Sequence, residues 1–403
     1  MNDWRRNLVF VWIAQVLSLV GFSFALPFAP FYLQELGVSG EENLRVWSGL
    51  FMAGAGVPLA VMAPVWGFVA DHWGRKSMSL RAALAAAFVL FAMGLVRTPG
   101  ALMALRVIQG VFTGTVAANL TLVVSTTPEE RIGFAIGVMN SAVFAGNAIG
   151  PLVGGAVADA FGFRVAFFLS SLALLCSFLV TLFLVKERFT RRPLRLSRSP
   201  LRSARGFLAE FGIPFNLALI LLLGFARFTG RPIYPLLVRG IAAPGLGVAT
   251  QTGLVNAAAG VAAVLAGVLI GRRADRAPGS SRRIYAIGIA CALLAAVFFV
   301  PQGVMPALWA LIPFVFATEF CAGGLDPVLN MLLARKVPPE RRGVAFGLAG
   351  SAKAIGWSAG ALVGGALAAY LGFVWVFLAG ALVFGLMALL LGRAMGATTA
   401  PGP

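Results

Sequence analysis

Charge is scarce in this chain, acids scarcer still, and histidine nearly absent. Of 403 residues only 11% are charged, fourteen are acidic, and His72 is the single histidine. A soluble globular protein carries roughly 25% charged residues, so water is not the solvent for most of this one. One histidine excludes a multi-histidine metal site, a His-based triad and an HExxH site, and with them most routes to an intramembrane enzyme. Cys176, Cys291 and Cys321 are the only cysteines. They fall in apolar stretches without paired spacing, which points to packing and not to a disulfide or metal framework. No enzyme activity, metal or cofactor is expected.

What fills the chain is apolar: 60% of residues are hydrophobic and the mean hydropathy is +0.91. Apolar stretches of about 20 residues, enough to cross a ~30 Å hydrocarbon layer as helix, recur from end to end. The pattern predicts twelve spans near 7–29, 46–70, 77–96, 100–124, 132–156, 163–185, 213–238, 248–271, 283–302, 305–333, 343–368 and 372–392. Helices are expected because lipid offers the backbone no hydrogen-bond partners. The first span is too long for a signal-peptide core and is expected to stay as a helix.

The net charge of +18 would point to nucleic acid in a soluble protein, but its placement argues otherwise. Twenty-four of the 32 Lys and Arg fall in alternate loops, eight of them between Lys186 and Arg205, while the intervening loops hold only Arg45, Arg97, Arg164 and Arg239. This is the positive-inside asymmetry. It predicts a multi-pass protein of the cell membrane, inner or plasma, with both termini cytoplasmic and no nucleic-acid partner.

The one long polar segment divides the chain into 1–188, a basic linker at 189–212, and 213–403. Residues 128–168 lie without a gap on 338–378: Pro128, Glu130, Arg131 and Gly133 on Pro338, Glu340, Arg341 and Gly343, and Gly146, Gly150, Gly154 and Gly155 on Gly356, Gly360, Gly364 and Gly365. Two six-helix halves related by a repeat place a site between them near the midplane.

Three motifs stand out. Gly67, Asp71, Gly74, Arg75 and Lys76 close the second span in a tight turn, with Arg131 a further basic partner for Asp71. Arg106, Gln109 and Gly110 lie in the fourth. Gly146, Gly150, Pro151, Gly154 and Gly155 lie in the fifth, where small residues allow close helix approach and Pro151 favours a bend. Together with the span count and the repeat, these resemble the G-x-x-x-D-x-x-G-R-K, R-x-x-q-G and G-x-x-x-G-P-x-x-G-G signatures of the major facilitator superfamily, in its drug/proton antiporter branch of the multidrug and tetracycline efflux type. The resemblance implies an all-α fold of twelve helices in two pseudo-symmetric bundles, transport by alternating access, and coupling to protons.

Only two acids, Glu319 and Asp326, lie within a span, seven residues apart and hence on one face of the tenth helix. A carboxyl in low dielectric holds its proton more tightly and can exchange it near neutral pH, so these two, with Arg106, are the candidates for proton coupling. Many members of the branch carry a membrane acid in the first or fourth helix, and this chain has none there. Gly323, Gly324 and Pro327 are expected to let the tenth helix bend and admit water. The expected substrate cavity combines Phe24, Phe28, Tyr32 and Tyr234 with Gln15, Asn119, Arg227, Arg231 and Lys353. A monomer exporting amphipathic drugs or other small molecules against protons is the leading expectation. The alternative is an anionic cargo, a lipid headgroup, organic acid or phosphorylated metabolite, because the buried bases Arg106, Arg227, Arg231 and Lys353 outnumber the buried acids.

Overall fold

The computed structural model describes residues 3–187, 212–275, 281–338 and 341–397, and among them every regular element is a helix. Twelve are long and apolar enough to cross a membrane: α1 Trp4–Glu35, α2 Glu41–Gly67, α3 Arg75–Leu95, α4 Pro99–Thr126, α5 Phe134–Phe161, α6 Phe163–Leu184, α7 Pro214–Gly240, α8 Val248–Arg273, α9 Ser281–Val304, α10 Leu308–Lys336, α11 Val344–Tyr370 and α12 Phe373–Gly396. An even number of crossings puts both ends of the described chain on one side, here called the terminal side. The linker expected at 189–212 lies, except for Gly212, outside the described residues.

The helices break where the sequence weakens them. Pro27 sits in the 3₁₀ turn Leu26–Phe28 inside α1, and Gly114, at φ 133°, interrupts α4. Single glycines turn the chain from one span into the next: Gly162 at φ 85° joins α5 to α6, and its repeat copy Gly372 at φ 94° joins α11 to α12. α5 is helical through Pro151, and α10 through Pro313, Gly323, Gly324 and Pro327. In α10 the two glycines serve packing, since Gly323 faces Ala263 and Gly324 faces Ile270 of α8.

Each half has its own apolar core. One cluster runs from Ile213 to Leu391. Two others hold first-half residues, and the larger of them also takes in Leu236 and Ala249 from the second half. The repeat read from the sequence is a repeat of packing. Gly146, Gly150 and Gly154 of α5 receive Leu19, Ser23 and Phe24 of α1, and Gly356, Gly360 and Gly364 of α11 receive Leu221, Phe225 and Thr229 of α7. The next residue in each helix faces the other half: Gly155 meets Ala249 of α8, and a Cβ on Gly365 would lie 2.8 Å from the Gly49 Cα of α2.

These cross-half contacts stop part-way along the helices. On α2 and α11, Gly49 meets Ala361, Gly56 meets Ser358, and the Ser351 hydroxyl donates to the Ala60 carbonyl at 3.3 Å. On α5 and α8, Pro151 meets Gly253 and Ala148 meets Gly260. Three turns further on the same faces, toward the terminal side, Gly67, Gly137 and Gly347 have nothing within 4 Å, and Gly271 meets only Pro327 at that limit. The halves are closed on the far side and parted on the terminal side.

Candidate functional site

Near the middle of three second-half spans, five ionised groups form one network. Arg227 of α7 donates through Nη2 to Glu319 Oε2 and through Nη1 to Asp326 Oδ2 at 3.1 Å. Lys353 Nζ of α11 donates to Asp326 Oδ1 at 2.5 Å, and Arg231 Nη2 lies 3.5 Å from Glu319 Oε1. The helical period explains the convergence. Arg227 and Arg231 are one turn apart on α7, and Glu319 and Asp326 two turns apart on α10, so α7 reaches both acids from one face. The Glu319 side chain keeps 6% of its surface exposed, whereas Asp326 and Lys353 keep 28% and 27%. Glu319 is the sealed member of the network, whereas Arg231 at 30%, Asp326 and Lys353 are reachable.

Aromatic rings flank the two outer cations. Phe228 and Trp357 stack at 5.0 Å, the Arg231 guanidinium lies 5.6 Å from the Phe228 ring, and Lys353 Nζ lies 5.9 Å from the Trp357 ring. Phe228 and Trp357 went unnoticed in the sequence because single aromatics on apolar helices carry no spacing signal. Both carboxyls read from the sequence as candidates for proton exchange are ion-paired here. Three cations serve two carboxylates, and the buried Arg227 Nε has no hydrogen-bond partner.

In this conformation six of the nine expected cavity residues lie in packed contacts and not on a cavity wall. Phe24, Phe28 and Tyr32 belong to the first-half core, and the Tyr32 hydroxyl donates to the Met93 carbonyl at 3.0 Å. Tyr234 is buried and donates to Gln302 Oε1 at 2.5 Å; Gln302 in turn donates to Thr318 Oγ1 at 2.8 Å. Gln15 Oε1 accepts from Asn119 Nδ2 at 2.8 Å, and Asn119 Oδ1 accepts from Ser79, a buried polar chain linking α1, α4 and α3. These side chains pair with one another, as polar groups inside a helix bundle do, although Gln15 Nε2 is buried without a hydrogen-bond partner among the described residues. Arg227, Arg231 and Lys353 remain partly exposed at the network.

Arg106 is not part of it. Its Nε donates to the Phe51 carbonyl at 3.1 Å, its Nη1 to Gln109 Oε1, and its guanidinium lies 4.8 Å from the Phe51 ring. The structure therefore separates Arg106 from the two acids with which the sequence grouped it.

At the turn between α2 and α3, Gly74 has φ 89°. The Asp71 side chain lies outside the described residues, so its pairing with Arg75 or Arg131 does too. What the structure does hold there is Glu187, just beyond α6. Its carboxylate accepts the backbone N–H groups of Arg75 at 3.0 Å and Lys76 at 2.9 Å, while Lys76 Nζ donates to the carbonyls of Leu182 and Val185. An acid at a helix N-terminus satisfies orphan donors and meets the positive end of the dipole. Asn7 clamps the neighbouring Lys186 backbone through both its amide atoms, at 2.6 and 3.0 Å. No sequence pattern marks Glu187, because its partners are backbone groups far along the chain.

On the far side, Asp159 of α5 accepts from the Ala249 and Thr250 backbone N–H groups at 3.2 and 2.7 Å and from Thr250 Oγ1 at 2.6 Å. Arg239 of α7 donates to Gln34 Oε1 at 3.0 Å and to Glu41, and Arg45 Nη1 of α2 donates to the Ala368 carbonyl at 2.9 Å. All three ties join one half to the other.

Comparison with known proteins agrees with this architecture. The sequence pattern of the Major Facilitator Superfamily matches residues 11–317 and, overlapping that stretch, 218–402. The multidrug resistance protein MdtG of Enterobacter lignolyticus (strain SCF1) is 32% identical over 406 residues, covering 99% of this chain and 95% of that protein. MdtG of Citrobacter koseri is 33% identical over 377 residues, covering 93% and 91%. Among solved structures, the human organic anion transporter MFSD10 superposes with a TM-score of 0.72 at 20% identity, covering 97% of this chain and 100% of that one. The nucleoside transporter NupG gives 0.67 at 16%, covering 98% and 100%. A sequence match that takes in both halves, on a chain whose repeat is visible in its helix packing, leaves one conclusion: this protein belongs to the Major Facilitator Superfamily and is a twelve-span membrane transporter.

Proposed function

We propose that the protein is a proton-coupled exporter of amphipathic small molecules, working as a monomer in the cell membrane with both termini cytoplasmic. The opening on the terminal side is then the cytoplasmic entrance, and rocking of the two halves exposes the same site to the other side. The observation that carries this reading is the Arg227–Glu319–Asp326–Lys353 network beside the Phe228–Trp357 pair. It offers an apolar surface next to carboxylates that a proton or a substrate cation can reach from the Asp326 end. The similarity to proteins named for multidrug resistance supports the cargo class. Coupling follows if proton and substrate favour different states of the network, since only differential affinity moves a conformational equilibrium. The test is transport in proteoliposomes: an imposed pH gradient drives an amphipathic fluorescent cation against its concentration gradient. Absence of pH-driven movement in active vesicles overturns the proposal.

One observation favours a second reading. The network holds three cations for two carboxylates, and Arg106 in the other half has no carboxylate partner among the described residues, so the spans carry surplus positive charge. An amphipathic anion, carrying a carboxylate or phosphate, would neutralise it. Competition decides between them: inhibition of transport by simple organic anions, with none by cations of equal size, selects the anionic cargo.

A further inference from the structure

Arg81 takes no part in any of this, and its surroundings are unusual. It lies on α3, six residues or about 9 Å from the end of the helix on the terminal side. Its guanidinium carbon lies over the indole of Trp66, 3.4 Å from the ring centroid, and Trp66 is fixed by an Nε1–H···O bond of 2.7 Å to the Val111 carbonyl of α4. The Arg81 Nε and Nη1 are buried and make no hydrogen bond; Nη2 is the one guanidinium nitrogen not sealed off. Among the described residues no carboxylate pairs with it. Every other cation in the middle of the spans has a carboxylate or carbonyl acceptor.

The helical period says which way this group looks. Phe88 and Leu95 lie seven and fourteen residues beyond Arg81 on the same face of α3, and they are 67% and 55% exposed. Large apolar side chains exposed along a membrane span face lipid, so Arg81 is on the bilayer perimeter and not on the central opening. Side chains on a helix lean toward its N-terminus, which points this one back toward the terminal-side headgroup layer. The helix of Trp66 continues past the end of α2 to Trp73, two turns on and 71% exposed, which marks the same rim, where aromatic side chains collect at membrane interfaces.

We infer that Arg81, seated on Trp66 between α2, α3 and α4, is a binding site for the phosphodiester of an anionic phospholipid in the leaflet on the terminal side. A lone guanidinium at the edge of the hydrocarbon is costly without an acceptor. A phosphate oxygen satisfies it, and the Trp66 face holds the guanidinium plane while leaving the Nη2 edge for the lipid. With no carboxylate paired to Arg81 among the described residues, a lipid of net negative charge is preferred to a zwitterionic one of equal chain length.

The test compares the full-length protein with Arg81→Gln, which removes an unpaired charge and keeps the length and polarity of the side chain. In lipid-free detergent the variant is expected to melt no lower than the parent. Added phosphatidylglycerol raises the melting temperature of the parent by several degrees, phosphatidylcholine by less, and inorganic phosphate not at all. Arg81→Gln loses the difference between the two lipids, and native mass spectrometry shows one fewer retained phosphatidylglycerol. Equal lipid retention by both proteins overturns the assignment, as does equal protection by inorganic phosphate, which would make the site one for soluble anions. A variant that melts far lower without lipid also overturns it, because Arg81 would then be holding the fold.

Discussion

Arg227 donates to Glu319 with one terminal nitrogen and to Asp326 with the other, so a single α7 guanidinium bridges two acids two turns apart on α10. Glu319 is the deeper of the two, and its other cation among the described residues, Arg231, stands off at 3.5 Å. Glu319→Gln keeps the shape and removes the charge. The expected outcome is loss of pH-driven export with retention of energy-independent exchange, and a stability loss of about 3 kcal/mol from leaving Arg227 half-paired. Proteoliposome transport and melting temperature read the two effects. Full pH-driven export in the variant would remove Glu319 from the coupling step.

The outline of this site was legible in the sequence and its wiring was not. Glu319, Asp326, Arg227, Arg231 and Lys353 are ionised residues in a bilayer, and the cost of such groups marks them without any structure. Which cation meets which acid depends on how α7, α10 and α11 are rotated and set in depth, and no one-dimensional pattern carries that. The aromatics misled for the opposite reason. Phe24, Phe28 and Tyr32 have the composition of a pocket wall, but burial in a helix bundle uses the same residues. The repeat of 128–168 on 338–378 was the most informative signal, because small residues at fixed spacing dictate helix contacts directly.

Lys353 and Asp326 form the accessible end of the network, so their coupling is expected to be modest. Asp326→Asn and Lys353→Met each lower stability, and the double variant loses less than the sum, with an interaction of about 1 kcal/mol. Chemical denaturation in detergent gives the cycle. Strict additivity would mean that the pair contributes nothing at 2.5 Å, and that Asp326 is held by Arg227 alone.

Glu187 closes the N-terminus of α3 from the end of α6. Glu187→Ala leaves two backbone N–H groups without their acceptor, a loss of about 1 kcal/mol by analogy with helix caps, while Glu187→Gln retains part of it. Hydrogen exchange at residues 75–77 is expected to speed up in the alanine variant ahead of the rest of α3. Unchanged protection there would show that the cap does not hold the turn.

The ties on the far side oppose opening there. Asp159 meets the start of α8, and Asp159→Asn keeps an acceptor oxygen but removes the negative charge from the positive end of the helix. Combined with Arg239→Gln, it is expected to shift the population toward opening on that side. A cysteine placed at Thr250 would then react faster with a membrane-impermeant maleimide added from that side. No change in labelling rate would leave the closed state resting on helix packing alone.

The parted glycines test whether the terminal side must close. Gly154 and Gly364 sit against the carbonyls of Phe24 and Thr229, where an added Cβ collides within one half; Gly154→Ala or Gly364→Ala is therefore expected to cost about 1–3 kcal/mol, as overpacking does. A Cβ added at Gly137 or Gly347 meets nothing within 4 Å, so a leucine at either starts into open space, and it favours helix over glycine. If transport requires these faces to meet, Gly137→Leu and Gly347→Leu hold the protein in the conformation seen here. The melting temperature is expected to stay level or rise while turnover falls at least tenfold, and substrate binding from the terminal side persists. The two classes of glycine thus separate fold from cycle: one loses stability first, the other loses only turnover. Normal turnover in both leucine variants would mean that these faces never approach, and that the halves exchange access by some motion other than closure along α5 and α11.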